Sequence, residues 1–300
     1  MENGCGISPK HLWKRLAERL IESFVTLNGV LAIVLVILIT VFLVRNGLQA
    51  FRSVSVTQFL FGHGWYPLSD RFGALPLILG SLAVTLGAVV IAVPLGLAAA
   101  VYLAEIAPVT VREILKPTVE VLAGIPSVVI GFIGMLVLAP WIKSILDLPT
   151  GLTALTGSIM LAFMAMPTII SISEDAIVAV PRDYGAGALA LGATRWQSIT
   201  GVIVPAARSG IIAGVMLGAG RAIGETMTVL MVTGNAAVIP HSLLQPVRTM
   251  TATIAAEMGE VAQGTPHYFV LFAIGLVLFI MTFLINLAAD LALQKSRVRR

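Results

Sequence analysis

Arg221 and Glu225 stand four positions apart in the stretch GRAIGET, residues 220–226, inside one of the most apolar regions of this 300-residue chain. On a helix that spacing brings the two side chains within reach of each other. An unpaired arginine at mid-membrane costs about 3 kcal/mol on insertion scales. Two opposite charges about 4 Å apart at an effective dielectric near 20 attract by roughly 4 kcal/mol, so pairing largely offsets burial. The spacing therefore predicts that each charge holds the other in place. Gly210, Gly214 and Gly218 fall on the same helical face as both charges. Small residues at every fourth position admit a second helix at short range, so this packing face is predicted to point into a bundle or at a partner subunit rather than at lipid. Ionisable residues within a membrane tend to mark substrate or ion routes. An arginine that releases its glutamate offers a planar fork to an oxyanion such as phosphate, and the glutamate then limits how tightly the anion is held. The plainer reading is a self-satisfied bridge that only fixes helix packing.

The elements that must position this pair are membrane spans. The chain is 58% hydrophobic and 11% charged, outside the range of soluble domains. A helix crossing the bilayer needs about 20 mostly apolar residues. Six windows qualify: Phe24 to Val44, one within the uncharged run between Arg71 and Glu105, Val121 to Ile142, Gly151 to Ser173, Ser209 to Val232, and Tyr268 to Ala289. An even number of spans puts both termini on one side. Thirteen Lys and Arg residues fall on the side of the termini and five on the other, with Arg221 alone inside a span; the termini are therefore cytoplasmic. The formal charge of +4 belongs to this basic inner rim, which implies contact with anionic membrane lipid and not with nucleic acid.

Residues 23–292 form one all-α transmembrane domain, preceded by a cytoplasmic segment 1–22 and followed by a basic cytoplasmic tail 293–300. In the first segment Leu12, Leu16 and Leu20 recur opposite Lys14, Glu18 and Glu22, with Ser8 and Pro9 as cap and first-turn residues, the pattern of a short helix on the inner membrane surface. The first apolar run is too long for a cleaved signal peptide and reads as an uncleaved anchor. Cys5 is the only cysteine, so there is no internal disulfide and no multi-cysteine metal site; no metal or cofactor is implied. Pro94, Pro126 and Pro167 lie inside spans. Gly124-Ile125-Pro126-Ser127 reads as a kink or as a hinge lining a pathway. Outside the membrane, Val247, Met250, Ile254 and Met258 share a helical spacing, as in an amphipathic helix at the outer interface.

A second region with chemistry in view is the cytoplasmic loop at about 180–205. Ala186 to Leu191 reads as a short helix stopped at Gly192. Thr194 followed by Gln197 is a capping-box start for a second helix that is predicted to end before Pro205. Two short helices meeting at a glycine form a knob suited to a groove in a cytoplasmic protein.

This knob resembles the EAA loop of ABC-transporter permeases: Ala186, Gly187 and Ala188 align with Glu-Ala-Ala, Gly192 with its glycine, and Val202-Ile203-Val204-Pro205 with its Ile-x-Leu-Pro. The acidic first position is alanine here. ALALGATRWQ, GRAIGETMTVLMVTGN and QPVRTMTATIAAEMGE together resemble the phosphate-specific permeases, C-type subunit. The resemblance implies a type I ABC importer permease bundle in a bacterial inner membrane. It also implies pairing with a second permease, binding of two cytoplasmic ATPase subunits with the knob as an ATPase-docking loop, and delivery of phosphate by an extracytoplasmic binding protein, with Arg221 and Glu225 at the family's functional charged positions. No G-x-x-x-x-G-K-[ST] loop occurs, so ATP hydrolysis falls to a partner and the chain is not itself an enzyme. A sulfate or molybdate importer shares the knob, and an ion-coupled secondary carrier also places charges at mid-membrane. An intramembrane hydrolase lacks a histidine within the spans.

Overall fold

A computed structural model describes residues 9–298. In chain order its elements are α1 (Pro9–Ala50), α2 (Val56–Phe61), a two-stranded antiparallel hairpin of β1 (Trp65–Tyr66) and β2 (Arg71–Phe72), α3 (Leu75–Val101), α4 (Val109–Ala123), α5 (Ser127–Ile133), α6 (Ala139–Ile145), α7 (Ala154–Val178), α8 (Arg182–Ala190), α9 (Arg195–Ser198), α10 (Val204–Gly224), α11 (Met227–Val232), α12 (Met250–Glu257) and α13 (Pro266–Val298). Among the described residues six helical stretches are long and apolar enough to cross a membrane: 18–50, 75–106, 127–145, 154–178, 195–224 and 266–288. Ser8 of the N-terminal segment and Arg299 and Arg300 of the tail lie outside the described residues.

The core is a close-packed trio of α3, α7 and α10. Ile169 of α7 is wedged between glycines of the other two: a Cβ at Gly96 would lie 3.0 Å from it and one at Gly218 2.6 Å. Ser158 of α7 donates to the carbonyls of Val84 and Ala154, so its hydroxyl is satisfied inside the apolar packing. α1 stands outside this trio and packs on α13, where Gly47 sits against Phe272 and Leu276 and Phe42 meets Phe272 edge to face at 5.5 Å.

Three elements differ from their sequence expectations. The short N-terminal helix expected on the inner surface is not separate, because α1 runs without a break from Pro9 to Ala50 and carries it into the first span. The third span begins at Ser127 rather than Val121, because the chain breaks at Gly124-Ile125-Pro126 and the residues before it form a separate helix, α4. Pro126 has no N–H to continue the ladder and bars helical geometry at the residue before it. The fifth does not run to Val232. It starts at Arg195 and stops at Gly224, and α11 restarts the helix three residues later. At its cytoplasmic end the helix opened by Thr194 does not stop before Pro205: a π-helical turn at 199–203 carries it into α10. The wider π turn accommodates a proline that cannot donate to the preceding turn.

Candidate functional site

The two breaks lie against each other. At the first, the carbonyls of Val121 and Leu122 still accept from the amides of Gly124 and Ile125, but no further helical turn follows to serve the last carbonyls of α4. Arg221 of α10 supplies the missing donor to one of them: its Nη2 donates to the carbonyl oxygen of Ala123 at 2.9 Å. The negative end of the α4 dipole stabilises a cation there, and hydrogen bonds to charged groups contribute about 1.5–3 kcal/mol. At the second break Glu225 has extended backbone, φ −68 and ψ 134, so the chain leaves the helix after this residue. The carboxylate turns instead to the start of α11, where Glu225 Oε1 accepts from the Thr228 amide at 3.2 Å. The expected ion pair between Arg221 and Glu225 is therefore replaced: each charge caps the end of a broken helix, the cation at a C-terminus and the anion at an N-terminus. The Thr228 hydroxyl donates to the Ser127 carbonyl at 3.0 Å and joins the restarted helices α11 and α5. Arg221 and Glu225 are both partly buried. An apolar cleft of about 550 Å³, lined by Leu122, Ile125, Ile130, Val137, Trp141 and Phe163, opens along α4, α5 and α6.

Gly210, Gly214 and Gly218 lie against α7. A Cβ at Gly210 would meet that of Ala176 at 2.3 Å, and one at Gly214 would meet Ser173 and Ile172 at 3.1 and 3.2 Å.

The knob residues fall on α8 and its exit. Ala186, Gly187 and Ala188 are inside α8, Gly192 has φ +87 and ends it, Val202 lies in the π-helical turn and Pro205 is the second residue of α10. Thr194 and Gln197 form a complete capping box. Leu191 is 92% exposed, with Tyr184, Leu189 and Trp196 also exposed around it. Arg195 Nη2 donates to the Glu105 carbonyl at 3.2 Å and Ser198 Oγ to that of Gly185 at 3.4 Å, which fasten the knob to the end of the second span and to itself.

Two charge clusters were not singled out from the sequence. Glu174, with a side chain only 1% exposed at the cytoplasmic end of α7, is held by Arg112 and by Lys116 of α4, whose Nζ lies 2.5 Å from Glu174 and 2.6 Å from Asp175. Hydrogen bonds to Asp175 and then to Glu174 raise the Lys116 pKa above 10.5. The stripe Arg112, Lys116, Val119, Ala123 thus faces the bundle while Ile114, Val121 and Leu122 face outward. Two adjacent acids at the end of an apolar run are the signal that marks Glu174. On the outer side Glu257 accepts from Trp65 Nε1 at 3.0 and 3.1 Å, pairs with Arg248 at 2.9 Å and meets His267 Nε2 at 2.8 Å.

A multi-span bundle with interrupted helices and a cytoplasmic helical knob defines the permease component of type I ABC importers. The fold is similar to that of a chain in inward-facing structures of the MetNI methionine ABC transporter, with TM-score 0.59 and 19% identity over 78% of this chain and 99% of that chain. The model of the binding-protein-dependent transport system inner membrane component family matches residues 92–298, and the chain belongs to that family, whose members are multi-pass inner-membrane proteins. It is 43% identical over 286 residues to the probable ABC transporter permease protein YqgH of Bacillus subtilis, covering 90% of this chain and 93% of the relative. It is 36% identical over 303 residues to the phosphate transport system permease protein PstC of Mesorhizobium japonicum, covering 95% and 92%.

Proposed function

We propose that this chain is the C-type permease subunit of an ATP-driven inorganic phosphate importer, and that Arg221 and Glu225 lie on its substrate route. The observation that carries the reading is the guanidinium of Arg221 set between two helix breaks: the Ala123 carbonyl engages one of the five donors that an arginine carries. The others suit the oxygens of a phosphate passing the break, and a cation held by a neutral carbonyl keeps its full charge for that anion, unlike one neutralised by a carboxylate. The phosphate transport permeases among the relatives favour this anion over sulfate or molybdate. A second permease completes the pathway by covering the apolar face of α4, α5 and α6 and the partly buried charges behind it.

The knob at about 180–205 docks a cytoplasmic ATPase, one of the two that the transporter carries. From Arg195 to Gly224 the chain is one helical stretch of 30 residues, roughly 45 Å at 1.5 Å per residue, so a push at the knob is delivered to the turn that carries Arg221. An extracytoplasmic phosphate-binding protein loads the pathway from the other side. The test is uptake of labelled phosphate into vesicles holding the complete transporter and its binding protein. Uptake that needs this chain and ATP, and that excess sulfate or molybdate leaves unchanged, supports the reading; competition by those anions overturns it.

A further inference from the structure

The segment that reaches from the outer surface to the break at Glu225 is α12. The sequence reads it as an amphipathic helix at the interface, yet Met250, Thr251, Ala252 and Thr253 are all buried. Its N-terminus is capped and fastened to α3. Thr249 caps it by accepting from the Ala252 amide at 3.2 Å. The Met250 amide donates to Ser81 Oγ of α3 at 2.9 Å, and the preceding carbonyl of Arg248 approaches Gly80 so closely that a Cβ there would lie 2.5 Å away. From this fixed base the Thr251 hydroxyl donates to the backbone carbonyl of Glu225 at 2.8 Å. That carbonyl belongs to the residue at which α10 has ended, so no helical amide is in register to satisfy it, and in an apolar surrounding an unpaired carbonyl is costly. The other end of α12 carries Glu257, tied to Trp65 of the outer hairpin and to His267 of α13. The hairpin presents Tyr66 and a fully exposed Leu68 to the outside.

We propose that Thr251 is a positioning residue for transport: its hydroxyl fixes the carbonyl of Glu225, and with it the break that carries Arg221, and α12 links the geometry of that break to the extracytoplasmic hairpin held by Glu257. The hydroxyl does not touch substrate in this account; it sets where the two charged residues stand. The role in phosphate transport rests on the reading given above, whereas the mechanical link does not.

The test uses the complete transporter in lipid vesicles, with Cys5→Ser removing the only thiol of this chain, Gly224→Cys placing a reporter at the break, where an added Cβ meets nothing within 4 Å, and labelling read on this chain after the subunits are separated. Thr251→Val, which removes the hydroxyl at nearly constant shape, is expected to lower maximal phosphate uptake about tenfold, the effect of losing one hydrogen bond of ordinary strength, at an unchanged half-saturating concentration. It is also expected to change the thiol-labelling rate of the reporter by at least about threefold. Thr251→Ser restores both to within about twofold, and Glu257→Gln, at the far end of α12, shifts the labelling rate in the same direction as Thr251→Val. The proposal is overturned if Thr251→Val matches the unmutated chain in uptake and labelling, if the serine variant is as impaired as the valine, or if Glu257→Gln leaves labelling unchanged. Failure of the unmutated chain to take up phosphate overturns the substrate assignment alone, because the labelling rates require no substrate.

Discussion

Arg221 illustrates how a charge is kept in a membrane without an opposite charge beside it: a helix break frees a carbonyl, and the guanidinium takes the place of the missing amide. The sequence makes both charged residues stand out, since charges are scarce in that stretch. It does not disclose their partners, because GRAIGET contains no proline and the interruption depends on tertiary contacts, the Thr251 hydroxyl on the Glu225 carbonyl and the Glu225 carboxylate on the Thr228 amide. At the same scale Lys116 gives a prediction with a defined sign. Its raised pKa means that the stabilisation from Asp175 and Glu174 is present in full below 10.5, its ordinary value, and is lost as pH rises through the higher folded-state value. Thermal unfolding in detergent should show Lys116→Gln less stable than the unmutated chain by a constant margin near neutrality, with the gap closing in strong alkali. A gap that widens with pH would contradict the pairing.

For the elements, hydropathy and small-residue spacing were the readable signals, and the interruptions were not. The glycine stripe of α10 lies on α7, and the contrast among its glycines is measurable. Gly210→Ala drives a methyl to 2.3 Å from Ala176, whereas Gly220→Ala meets nothing within 4 Å. Overpacking a tight helix contact costs about 1–3 kcal/mol, while alanine in an open helical position gains roughly 0.5–1 kcal/mol over glycine. The midpoint of thermal unfolding should therefore fall for Gly210→Ala and hold or rise for Gly220→Ala; equal effects would mean that the two glycines share one environment. The capping box at Thr194 is legible to the residue. The continuation through Pro205 is not, because a proline near a helix start is as compatible with a stop as with the π-helical turn that absorbs it. The GIPS hinge is likewise ambiguous in sequence between a kink and a full break, a choice settled by the Arg221 contact that satisfies the open end of α4.

At the scale of the whole molecule, six spans and their orientation follow from apolar runs and the distribution of Lys and Arg. The outer hairpin and the Glu257 cluster do not, since Trp65, Arg248, Glu257 and His267 are gathered from distant segments that carry no periodic signal. The proposed function depends on linking the cytoplasmic knob to the breaks. Leu191→Glu, at a side chain 92% exposed, should leave the folded chain intact and uncouple ATP hydrolysis from uptake; a charge at Gly192 should do the same, with added backbone strain at its φ of +87. Coupled transport at the unmutated rate in Leu191→Glu would remove the knob from the docking surface. The most direct measurement of the central claim is labelled-phosphate uptake by Arg221→Ala in a reconstituted transporter whose assembly is verified by co-purification of all subunits. Loss of uptake with assembly intact and partial recovery in Arg221→Lys are expected; uptake in Arg221→Ala within about twofold of the unmutated rate, a difference of only about 0.4 kcal/mol in barrier, would reduce that arginine to a helix cap and contradict its place on the phosphate route.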